Sequence, residues 1–137
     1  MPSSAVSPAV RDFQRKIRLF MLAEGVTFAT VALVHAGVIP VGSLDPIASI
    51  AESVIAVVLL AAFGLTFISP ARARAAGLGA QGFALAFTLV GTYFTLRFPG
   101  VSTMGDAVFH VVIVFVLLWG LVVAARTRIP SPGRSGA

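Results

Sequence analysis

Four long apolar runs separated by short polar breaks organise this chain, at about 17–39, 46–68, 73–96 and 104–125. A helix needs ~20 apolar residues to cross a hydrocarbon core about 30 Å thick, and each run meets that length. The breaks carry helix punctuation. Ser7-Pro8, Asp45-Pro46 and Ser69-Pro70 each set a capping residue before a proline, which the first helical turn tolerates. Thr103 and Asp106 have the spacing of a capping box, with Asp in the place of Glu or Gln. Pro40, Pro99 and Pro130 follow the ends of runs one, three and four, where a missing amide does least harm. The first run is too long for the apolar core of a signal peptide and contains Glu24, so it reads as a span.

The pattern predicts an all-α, four-helix transmembrane bundle with up-down-up-down topology. One domain covers 8–129, flanked by disordered tails at 1–7 and 130–137 that are rich in Ser, Pro and Gly. Connections of about six residues make sequential helices antiparallel neighbours.

Composition agrees with burial in lipid. Of 137 residues, 58% are hydrophobic and 11% charged, too little charge to cover a water-facing surface. The net charge of +5 does not point to nucleic acid, because the basic residues flank the apolar runs instead of forming a face. Arg11, Arg15, Lys16 and Arg18 precede the first run, Arg72 and Arg74 divide the second from the third, and Arg126, Arg128 and Arg134 follow the fourth. Only Arg97 falls on the other side. Positive charge stays in the cytoplasm, so a multi-pass protein of the cell membrane with both termini cytoplasmic is expected. The bias toward Arg, Ala, Gly and Val suggests a GC-rich bacterial source.

Cysteine is absent, which removes disulfides, thiolate metal sites and thiol catalysis. Neither a nucleophile elbow nor a phosphate-binding glycine loop is present. No enzyme activity is assigned.

Candidate chemistry lies in the few polar groups inside the runs, since each is costly in lipid and needs a partner or a purpose. By helical rise His35 lies about 5 Å, Glu52 about 9 Å, Asp106 about 5 Å and His110 about 10 Å inside the outer ends of their runs. Two imidazoles and two carboxylates at one depth form a plausible donor set for a divalent transition metal, or a proton relay. Glu24, Gln81, Thr88 and Thr92 would continue a polar path inward. A second reading makes His35 and His110 axial ligands of haem b, with Arg97 facing the propionates, or gives the chain a quinone-linked electron-carrier role. A third makes it a non-catalytic accessory or scaffold subunit of a larger membrane complex. The partners are the lipid bilayer and, on the glycines of runs two to four, a homo-oligomer or a larger assembly.

Plainer roles compete for each residue. Asp106 can cap the fourth helix with Thr103, Glu52 can close a box with Ser49, and Asp45 reads as an N-cap. His35 can reach the interface, and the threonines can bond their own helix. Glu24 can stay protonated or pair with Arg18 or Gln81.

Overall fold

A computed structural model describes residues 8–97 and 103–126. The expected tails at 1–7 and 130–137 lie outside those residues, as do Arg128 and Arg134. Four helices long and apolar enough to cross a membrane follow one another: α1 (Pro8–His35), α2 (Pro46–Ile68), α3 (Ala73–Arg97) and α4 (Met104–Arg126). Among the described residues there is no strand. The chain is a small multipass membrane protein, with large apolar side chains such as Ile47, Val57, Phe87 and Phe115 on its periphery, where lipid covers them.

Local chemistry sets the helix ends. Asp45 Oδ1 accepts from the amides of Ile47 and Ala48, so α2 begins at Pro46 with Asp45 as its N-cap. A single 3₁₀ turn, Pro70–Arg72, joins α2 to α3. The first run was expected to stay helical to about residue 39, but α1 stops at His35. The physical reason is a C-terminal glycine turn: Gly37 takes φ 76°, and the amides of Gly37 and Val38 fold back onto the carbonyls of Val34 and Leu33. Residues 36–45 then form a loop closed by the Asp45 amide on the His35 carbonyl.

Met21, Phe28, Leu59, Ala84 and Leu117 are buried where the four helices meet. Glycines admit close approach only in places. A Cβ on Gly77 would lie 3.0 Å from Ile17 and 3.7 Å from Ala124, whereas Gly64, Gly79 and Gly82 meet nothing within 4 Å. Among the described residues, cross-helix contacts place the start of α1 beside the end of α2, and the start of α3 beside the end of α4.

Candidate functional site

Where α1 ends and α2 and α4 begin, three chemistry-bearing side chains meet. His35 is the last residue of α1 and only 4% exposed. Its Nδ1 lies 2.8 Å from Glu52 Oε2 on α2, and its Nε2 lies 3.3 Å from Asp106 Oδ1 on α4. One imidazole therefore links three helices. Glu52 is buried about one and a half turns into α2, with its Oε2 on the Nδ1 side of the ring.

Asp106 does two jobs at once. Its Oδ2 accepts from the Thr103 amide at 2.6 Å and the Thr103 hydroxyl at 2.7 Å, while the Asp106 amide donates to Thr103 Oγ1 at 3.2 Å. That is a capping box at the start of α4. The same oxygen also accepts from Ser43 in the loop, at 3.1 Å. With three donors on Oδ2, that oxygen has no room for a proton, and Oδ1 is left to face the ring. Ser43 was not singled out in the sequence. Its only signal was a hydroxyl between Gly42, at φ 77°, and the Asp45 cap. Ser49 does not box with Glu52; its hydroxyl donates to the Ala32 carbonyl across the helix pair.

The remaining candidates lie elsewhere. His110 is half-buried, and its Nδ1 lies 2.8 Å from the Asp106 carbonyl on its own helix, one turn away. Its Nε2 points at α3, 3.4 Å from where a Cβ on Gly91 would sit. Arg97 is the last residue of α3. Thr88 and Thr92 donate to the carbonyls of Ala84 and Thr88, the local bond that short hydroxyl side chains favour in helices. Glu24 and Gln81 meet deeper in the bundle, with Gln81 Nε2 3.1 Å from Glu24 Oε2. Arg18 is not part of that contact, since it bonds Thr66.

This geometry bears on what the site can hold. The two carboxylates sit at opposite nitrogens of one ring, so an ion reaching both would have to displace the imidazole between them. Among the described residues no group of three or more His, Asp and Glu converges as a metal shell requires. Haem ligation needs an imidazole nitrogen with open space before it. Both nitrogens of His35 face carboxylates, and His110 Nε2 faces α3.

The arrangement does suit proton chemistry. Two ring–carboxylate hydrogen bonds require two protons, and a neutral imidazole supplies one. The second either makes the ring an imidazolium or sits on a carboxyl oxygen that faces it. The exchangeable proton therefore belongs to the His35, Glu52 and Asp106 set as a whole. No family model, curated protein or solved structure matches this chain, so the reading rests on its own geometry.

Proposed function

We propose that this small multipass protein of the cell membrane carries a proton-binding site at its outer face, and takes up and releases protons there in support of transport or redox chemistry. The observation that carries this reading is the His35 ring, 4% exposed, with a carboxylate at each nitrogen. A buried group of this kind is expensive in a membrane, and a purely structural tie between helices needs no titratable ring. The outward direction is supported by the basic residues, which gather at the opposite end of the bundle.

The proposed cycle uses this chain's own groups. In the loaded state His35 donates through Nδ1 to Glu52 and through Nε2 to Asp106. Loss of the shared proton leaves one N–H for two carboxylates, and two negative charges face a neutral ring. The longer contact, 3.3 Å to Asp106, is the one released. Among the described residues, Asp106 at the start of α4 then keeps its bonds to Ser43 and Thr103, so proton release loosens α4 from α1. Asp106, with 16% of its side chain exposed against 7% for Glu52, provides the route to water.

Magnetic resonance of the protein in liposomes, with isotope-labelled histidine, tests this directly, because the chain has only two histidines. Between roughly pH 5 and 8, the window in which imidazoles change charge, the His35 ring should lose the Nε2 proton while Nδ1 keeps its own. Glu52→Gln should abolish that transition and leave His110 unaffected. A His35 ring with the same protons across the whole range would overturn the reading, and would favour the scaffold role.

A further inference from the structure

Glu24 lies eleven residues before His35 on α1, about 16 Å away by helical rise. It is 1% exposed, and its contact on α3, Gln81, is fully buried. The layer between this pair and the His35 cluster is mostly apolar, and the hydroxyl of Thr88 within it bonds its own helix at the Ala84 carbonyl. Phe28 is buried there and stands edge-on to Phe109 with ring centres 6.1 Å apart, while Ile55 and Ile113 complete the packing.

The pair has two peculiarities. Gln81 Nε2 approaches both carboxylate oxygens, at 3.1 and 3.4 Å, yet Gln81 Oε1 is buried without a partner. And α4 passes over the pair at Gly120: a Cβ there would lie 2.7 Å from Glu24 Oε1 and would also strike the Gln81 amide. A carboxylate buried in lipid needs a neutralising charge. Arg18, six residues earlier on the same helix, is engaged with Thr66 and Phe67. α2 faces this stretch of α1 with Leu59 and Leu60 at Gly25, and α4 faces it with Gly120. Among the described residues, no charged side chain hydrogen-bonds or pairs with Glu24.

We propose that Glu24 and Gln81 form a second proton-binding site, separate from the His35 cluster and sealed by the close passage of α4 at Gly120. The amide serves both states because it has two ends. With a proton on Glu24, the carboxyl O–H donates to Gln81 Oε1. When the proton leaves to water, the amide turns over and Nε2 donates to the carboxylate. Each state uses the end that the other leaves bare, and the two ends look alike except in their bonding. A metal cation is excluded by number and by space: the pair offers three oxygens where hard cations take about six, and α4 fills the remaining side.

Infrared spectroscopy of the protein in liposomes tests the proposal. The chain has two glutamates, so glutamate labelled with heavy carbon reports on Glu24 and Glu52 alone. At neutral pH we expect a protonated-carboxyl band that disappears in Glu24→Gln and moves to higher frequency in Gln81→Leu, where the hydrogen bond is gone. In heavy water that band should exchange slowly in the native chain and faster in Gly120→Ala. Labelling keeps the result readable even if Glu24→Gln fails to fold. Glu52→Gln disables the outer cluster and leaves Glu24 as the one labelled glutamate, so a band that survives there separates this proposal from the one above. Absence of the band at neutral pH in the native chain overturns the proposal. So does its loss in Glu52→Gln, which would make the two sites one network, or a band indifferent to Gln81→Leu.

Discussion

The two ends of the bundle are tied in different ways. At the His35 end, the helices are linked mainly side chain to side chain, through His35, Glu52, Asp106 and Ser43, with the Ser49 hydroxyl on the Ala32 carbonyl beside them. At the opposite end, long side chains reach backbone carbonyls. Arg18 bonds the Thr66 carbonyl at 2.7 Å and its hydroxyl at 2.9 Å, Gln14 bonds Pro70 O at 3.1 Å, and Arg74 bonds Ala125 O at 3.3 Å. Thr66 and Ala125 belong to the last turns of α2 and α4, where carbonyls have lost their helical partners. The contrast follows from helix direction. Carbonyl ends carry partial negative charge and attract cations, while amide ends attract anions. Asp45, Glu52 and Asp106 sit near the amide ends of α2 and α4, and His35 closes the carbonyl end of α1. Of the two ends, the His35 end is the one that gathers buried groups able to change charge.

The sharpest way to break this contrast is His35→Ala, which leaves Glu52 and Asp106 without the group between them. Removing one member of a buried charged set costs about 3 kcal/mol or more, and reversible unfolding in detergent should show it. A loss below about 1 kcal/mol would make the two ends energetically alike. Next comes Arg18→Ala, which removes two hydrogen bonds and a guanidinium 4.1 Å above the Phe67 ring. About 2 kcal/mol is expected from those contacts together. Arg18→Lys should recover less than half, since an ammonium cannot reproduce the planar fork. Asp45→Ala should cost about 1 kcal/mol, the usual value of an N-cap, and should not alter proton binding at His35. Thr88→Val and Thr92→Val should stay within about 0.5 kcal/mol, because their hydroxyls serve only their own helix. A larger effect there would point to a polar route joining the two sites.

The positions of the helices were readable because lipid imposes a length, and three of the four helix starts carry proline or capping chemistry. The end of α1 was not, because residues 36–39 are apolar enough to continue a helix and only the backbone of Gly37 decides otherwise. A depth count by helical rise brought His35, Glu52 and Asp106 to one level, and they do meet. The same count placed His110 with them, but depth says nothing about rotation. One turn beyond Asp106, the His110 ring bonds its own helix. Ser43 could not be found this way, since a loop has no period to extrapolate. Gly120 was visible as a small residue suited to packing, yet nothing local distinguishes it from Gly64, which meets nothing. What separates them is which helix passes opposite, and that is set by the whole bundle.

α1 has one further consequence. Its 28 residues form an unbroken helix of about 42 Å, against a hydrocarbon thickness of about 30 Å. The surplus must project into the headgroups or be absorbed as tilt. Its first turns suit projection, since Asp12 and Lys16 pair at 2.8 Å with more than half of each side chain in solvent. A helix longer than its bilayer responds to membrane thickness, leaning more in a thin membrane and less in a thick one. His35 stands at the far end of that rod, so lipid composition becomes a mechanical input to the geometry around its ring.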